Sequence, residues 1–343
     1  MALWTDIIDP ATLTGYARGW REDYEDQQGT LARWLPNREV ADTAVRFTPG
    51  EHGLTEVANY RAWDAEAETG RRGKARRVTI DLPAIGQNIP IGEYEQLRLR
   101  NASDDRMLKE ILKTTRTVVR AVSDRIELTR GTTVVTGRAT VNQANFGFDD
   151  DFGRSASHNV TAGTLWSDPN ADRLGDLEAW SDVYEATNGG KPGAILLTRR
   201  GVRALANGTQ FQTQLLNGAA RPATLEEVKA VLASHDLPEI FVYNRKVNVG
   251  GVNTSVLDEN RLLFLPAPVE TDDDEGTQLG ATFWGQTLSS SEPEWEIADD
   301  DQPGIVVGAF RNKKPPMIAE VVSDAIAHPV LANADLSFAA KIL

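Results

Sequence analysis

At 343 residues the chain exceeds the length that one hydrophobic core usually serves, so two or more lobes are expected. Its 41% hydrophobic and 25% charged residues are ordinary for a globular protein, and no apolar run approaches the roughly 20 residues that cross a bilayer. The absence of cysteine excludes disulfides, thiolate metal sites and cysteine nucleophiles, and the net charge of −14 argues against a dedicated nucleic-acid binder while suiting a protein that lies near DNA without adhering to it.

The N-terminus MALWTDIIDP lacks a basic stretch followed by an apolar core, so folding in the cytoplasm is expected. Residues 1–45 carry Trp4, Trp20 and Trp34, with a helix expected around Ala11–Tyr24 and a break at Pro36. Three tryptophans in so short a segment need cover, either from the body of the chain or from a neighbouring copy. From Ala44 to Ile91 two strand-like arms flank a polar, glycine-containing tip with Arg71, Arg72, Lys74, Arg76 and Arg77. Each arm can reach about 50 Å, beyond a compact body whose radius of gyration is about 20 Å, so its edges call for another chain. In an acidic protein the tip reads as a solvated element that meets an acidic neighbour.

Asp104–Arg130 has the cleanest periodicity in the chain. Leu108, Ile111, Leu112, Thr115, Val118, Val119, Val122 and Ile126 recur at three- and four-residue steps, which predicts one apolar stripe along a helix. Ser103 and Asp104 are N-cap candidates and Gly131 is the expected C′ residue. Thr133–Phe148 reads as strand. A helix is expected within Leu165–Ala186, a buried strand at Ala194–Thr198, a short helix at Arg199–Ala206 and a helix opened by the capping box Thr224–Glu227. The strand Glu239–Asn244, a hairpin through Gly250-Gly251 and the strand Arg261–Pro266 complete a mixed lobe. An acidic, turn-rich stretch with Asp272–Asp274 and Asp299–Asp301 follows, and the chain ends in strand-like GIVVGAF, MIAEVVSDAIAHPVL and SFAAKIL. Helix and strand mix without βαβ regularity, which predicts an α+β fold rather than a doubly wound sheet.

No catalytic constellation stands out. His52, His158, His235 and His328 are scattered, Gly189-Gly190-Lys191 is followed by proline where a phosphate loop needs Ser or Thr, and neither acidic triplet has EF-hand spacing. Catalytic, cofactor and metal residues are therefore expected to be none. A hydrolase built on the Asp clusters would lack histidine ligands, and a monomeric binding module would leave its arms uncovered.

Several stretches together resemble the major capsid proteins of tailed bacteriophages, most closely the lambda-type major capsid protein E family with its HK97-like fold. They are LPAIGQNIPIGEYEQLRLR (Leu82–Arg100) directly before the long helix, LWSDPNADRLGDLEAW (Leu165–Trp180), EIFVYN followed by a Gly-Gly hairpin and RLLFLP, and the ending Val321–Leu343. The resemblance implies an N-terminal arm over 1–43, an extended E-loop over 44–92 and a discontinuous peripheral domain over 93–156 and 300–343. It further implies an axial domain over 157–268, with 269–299 an acidic connection. It implies a homo-oligomeric shell of hexamers and pentamers around double-stranded DNA, assembled in the bacterial cytoplasm with a portal protein and a separate scaffolding protein, and with room for a decoration protein. Arg71, Arg72, Lys74, Arg76, Arg77, Trp4, Trp20 and Trp34 become subunit-interface candidates. Some shells of this fold are welded by a Lys–Asn isopeptide; the E-loop here offers only Lys74 and no matching Asn partner, so no cross-link is expected. An encapsulin-like compartment shares the fold and is the nearest rival.

Overall fold

The computed structural model describes residues 2–47, 78–100, 104–143, 146–214, 220–271 and 277–343. Two sheets and one helix that runs past both define the architecture. The larger sheet is built on Ala319–Leu331, a 13-residue strand. Its first half pairs antiparallel with Val306–Arg311 and with Ala84–Ile91, and its second half with Gly280–Gly285. Asn37–Glu39 and Ala2–Leu3 add short outer strands. Burial alternates along the first half, with Val321, Ser323 and Ala325 buried and Glu320, Val322 and Asp324 half-buried, the two-residue period of a sheet packed on one face.

The second sheet is mixed, in the order Glu239–Val242, Ala194–Leu197, Arg261–Leu265, Phe338–Lys341, Asn159–Thr161. Its inner strand Ala194–Leu197 is buried at every residue, as its continuous apolar run requires. The helices Arg173–Asn188, Arg199–Ala206 and Leu225–Ser234 belong to this lobe, and the predicted Thr224–Glu227 capping box is present in full. Two expected boundaries shift. The block 300–343 does not stay together, because Phe338–Lys341 pairs with Arg261–Leu265 of the second sheet. The stretch 269–299 is more than a connection, since Gly280–Gly285 is a strand of the first.

The long helix spans Asp104–Thr136, 33 residues and about 50 Å. It joins two hydrophobic cores: Ile111, Val118, Val119, Val122 and Ile126 pack with Leu13, Trp284, Val307 and Val321, whereas Val134 and Val135 enter the core of the second sheet. The helix does not end at Gly131. A Cβ there would sit 2.3 Å from the carbonyl oxygen of Val256, so the glycine serves a close approach of two backbones. The terminator is Gly137 at φ 73°, and Arg154 donates to the open carbonyls of Val134 and Val135 at 3.1 and 2.8 Å. Thr133–Thr136, expected as strand, is helical because packing overrides the weak β preference of its branched residues, and the Thr133 and Thr136 hydroxyls bond the carbonyls four residues back. The expected strand itself survives downstream as the hairpin Arg138–Gln143/Phe146–Asp151. Ser103 lies outside the described residues.

Candidate functional site

The base of the predicted E-loop is defined by pairing. Ala44–Phe47 runs antiparallel to Val78–Asp81, with Val45 opposite Ile80 and both buried. The chain then enters Ala84–Ile91, fixed to Ala319–Leu331 of the larger sheet over eight residue pairs. The ends of the segment 48–77 are thereby held side by side on the body. Arg71, Arg72, Lys74, Arg76 and Arg77 lie outside the described residues, as does Asp272–Asp274.

The tryptophans separate. Trp4 is buried against the first core, its amide donating to Ala309 at 2.8 Å and the Arg311 guanidinium 4.9 Å above its ring. Trp34 is buried in the second, with Nε1 donating to the Pro266 carbonyl at 3.0 Å and its ring edge-on to Phe241. Their own chain covers both. Trp20 stays half-buried and stacks on Tyr24 at 5.1 Å between centroids. The N-terminal helix Pro10–Gln28 that carries it is capped by Asp9, which accepts from the Thr12 amide at 2.7 Å, and packs on the long helix and on Val306–Arg311.

Between the two cores lies a buried charge network that the sequence reading passed over. Glu127 and Arg130 are both fully buried and joined at 2.9 Å. Glu127 also accepts from the Leu31 amide at 2.7 Å and from the hydroxyls of Thr30 and Tyr243. Arg130 donates to Thr282 and Asn37, and its guanidinium comes within 3.9 Å of Glu25. Glu25 accepts from Ser123 at 2.9 Å. Beside it the buried Arg245 pairs with the half-buried Asp124 at 2.9 Å and lies over Tyr24, which also donates to Asp124. Residues from the N-terminal helix, the long helix, the first sheet and the second lobe thus share one polar cluster. Burial pushes the Glu25 carboxyl up, but the Arg130 and Arg21 charges and the Ser123 hydroxyl outweigh it and leave Glu25 below the usual range. Burial, reinforced by Glu127, drives the Tyr243 phenol well above its ordinary value. A signal for this network existed: Arg130 continues the row Val118–Val122–Ile126 and Glu127 the row Val119–Ser123, so both charges sit in phase with the buried face.

The cluster is suited to holding elements in register, since its charges are neutralised internally. Among the described residues no three His, Asp or Glu side chains come together as metal ligands, and no helix is long and apolar enough to cross a membrane. His158 packs between Tyr184 and Phe338 and contacts the Thr187 hydroxyl. His235 meets Glu178 at the surface.

No curated protein sequence matches the chain. Among solved structures, one described as the capsid protein of an Escherichia coli CFT073 prophage is 16% identical with a TM-score of 0.64, covering 98% of this chain and 99% of that one. A phage-related protein from Bordetella bronchiseptica RB50 is 15% identical with a TM-score of 0.58, covering 99% and 98%. These likenesses identify the fold as HK97-like along the whole chain. The sequence profile of the family described as phage major capsid protein E matches residues 22–276. The paired strands Ala44–Phe47 and Val78–Asp81, a helix spanning two cores, and an alignment over about three quarters of the sequence agree, and the chain belongs to the phage major capsid protein E family, whose members form the shell of the virion.

Proposed function

We propose that this capsid protein forms the hexamers and pentamers of an icosahedral head that encloses double-stranded DNA, assembling in the host cytoplasm with a separate scaffolding protein, a portal protein at one vertex, and room for a decoration protein on the outer face. The observation that carries this reading is the pairing of Ala44–Phe47 with Val78–Asp81 beside a strand anchored in the main sheet. It gives the segment with five cations between Arg71 and Arg77 a firm base from which to meet a neighbour. An acidic net charge suits an inner wall that confines DNA and releases it. The role is structural, with no catalytic group assigned.

Within such a shell, residues 1–43 act as the arm and 44–92 as the E-loop. The peripheral domain takes the long helix and the first sheet, and the axial domain takes 157–268 together with the last strand. Trp20 joins Arg71, Arg72, Lys74, Arg76 and Arg77 at the subunit interface, while Trp4 and Trp34 set the position of the arm. Negative-stain electron microscopy of the purified protein, with and without the candidate scaffolding protein, tests the reading. Closed shells or six- and five-membered rings support it, and a monomer that persists at high concentration overturns it. Boiled shells are expected to run as a single band on SDS gels; an SDS-resistant ladder would show that subunits are covalently joined and overturn the expectation of no cross-link.

A further inference from the structure

The outward side of the long helix carries a row of cations that neither core uses. Arg106, Lys109, Lys113, Arg116 and Arg120 recur at steps of three and four residues, so they share one face, and all five are exposed. The row is about 21 Å long. Lys113 meets Glu110 at 3.0 Å and Arg120 meets Asp124 at 3.6 Å, both surface pairs of the kind that contribute little. Among the described residues, Arg106, Lys109 and Arg116 pair with no carboxylate, and Arg116 is held instead by the Tyr16 hydroxyl, which accepts from its Nε at 2.5 Å. Asp104 and Asp105 precede the row, and Glu110 and Asp124 are already engaged.

The N-terminal helix runs alongside in the same direction, since Tyr16 meets Arg116 and Tyr24 meets Asp124. Next to the row it presents Thr12, Gly15, Tyr16 and Gly19, one face at the same steps. A Cβ on Gly15 or Gly19 would meet nothing within 4 Å, so these two residues, unfavourable in a helix interior, keep the face low without serving a contact in their own chain. The exposed Glu22, Asp23 and Asp26 begin only beyond Gly19, toward the Arg120 end, so the row is least screened between Arg106 and Arg116. Among the described residues neither helix exposes a large apolar side chain. A protein partner needs an apolar, lysine-poor centre to its interface, whereas a low, uncharged strip beside a row of Lys and Arg suits a phosphate backbone. Part of the acid behind the net charge of −14 lies across the sheet. Val307, Ala309 and Val321 face the helices, while Trp295 covers Gly308 and Phe310 from the other side, where Glu292, Glu294 and Glu296 are exposed.

We propose that the face of the long helix from Arg106 to Arg116, with Arg120 at its margin, bears on the phosphate backbone of the enclosed duplex. The Lys and Arg heads pair with phosphate oxygens and no side chain reads a base, so the contact is independent of sequence. So few cations give a weak, salt-sensitive contact, which agrees with a wall that confines DNA and releases it. The proposal rests on the shell reading and names the surface on which the DNA lies.

The test titrates the soluble subunit into a fluorescein-labelled duplex of about 20 base pairs and follows anisotropy over a salt series. All measurements are repeated in a subunit with Arg71, Arg72, Lys74, Arg76 and Arg77 changed to Gln, so that this other cationic segment cannot supply the binding. In that background log K is expected to fall against log salt with a slope of about −3.6, about −0.9 for each of about four phosphates, and equally for two unrelated sequences. Lys109→Gln together with Lys113→Gln is expected to reduce the slope by about 2 and to weaken binding at low salt about tenfold, with unchanged circular dichroism. Arg106→Gln alone is expected to reduce the slope by about 1, which decides the matter if the double variant misfolds. An unchanged slope in these variants, or no duplex binding at low salt by the subunit that lacks the Arg71–Arg77 cations, would overturn the contact and leave the shell reading standing. Binding of poly-glutamate without binding of the duplex would assign the face to an acidic protein segment and overturn it as well. Wild-type protein that binds the duplex in this way but never assembles would remove the shell reading instead.

Discussion

Arg130 is the residue on which most of the interior depends. Its guanidinium is fully buried and meets Glu127, Thr282 and Asn37, with Glu25 just beyond. Arg130→Met keeps the volume but strands two buried carboxylates, so a loss of about 3–5 kcal/mol is expected from the urea midpoint. Adding Glu127→Gln to that variant should recover part of the loss, because the pair is coupled. Glu25 gives a pH signature. Its carboxyl is lower in the folded chain than its ordinary value of 4.5, so the stability it contributes is complete above that value and is lost as pH falls through the depressed one. Glu25→Gln should flatten the acid limb of stability against pH below about 4.5, and an unchanged limb would assign acid sensitivity to other carboxylates.

At the scale of elements, the long helix acts as a beam because one apolar stripe is buried in two different cores. Ile111 and Val119 are fully buried in the first of them. Ile111→Asp or Val119→Asp places a carboxylate where nothing can pair with it, and either change should abolish soluble folded protein or assembly. Recovery of folded, assembling protein from both variants would remove the helix from its role. The neighbouring Gly131 shows how an element can mislead. Its sequence position after a periodic run looks like a terminator, yet Val256 presses against it from the second lobe and the helix continues to Thr136. Local signals were sufficient where all partners lie within one turn, as in the Thr224 capping box and in Arg199–Ala206, which forms as expected with Thr198 as its cap.

For the whole molecule, charge separates folding from assembly. Reversing Arg71, Arg72, Lys74, Arg76 and Arg77 to Glu should leave the circular dichroism and thermal midpoint of the subunit unchanged while the yield of shells in electron micrographs falls severalfold. The defect of the reversed variant should shrink as ionic strength rises, since a Debye length of about 8 Å at physiological salt screens contacts between exposed charges. Unfolding of this variant would instead show that the segment is part of the core.

The sequence by itself determined the class of the fold, most of its helices and strands, and the family, because periodicity, caps and motif order depend on residues close along the chain. Alternation in MIAEVVSDAIAHPVL was enough to predict the central strand, and the long apolar stripe enough to predict the beam. Only the tertiary structure decided which charges are buried, since Arg130 meets Thr282 and Glu127 meets Tyr243 across more than 100 residues. It also sent Phe338–Lys341 into the second sheet while its predecessor stayed in the first, a choice made by strand pairing that no local pattern encodes. Burial and desolvation are properties of what the chain brings together, and they set the cost and the use of every polar group inside it.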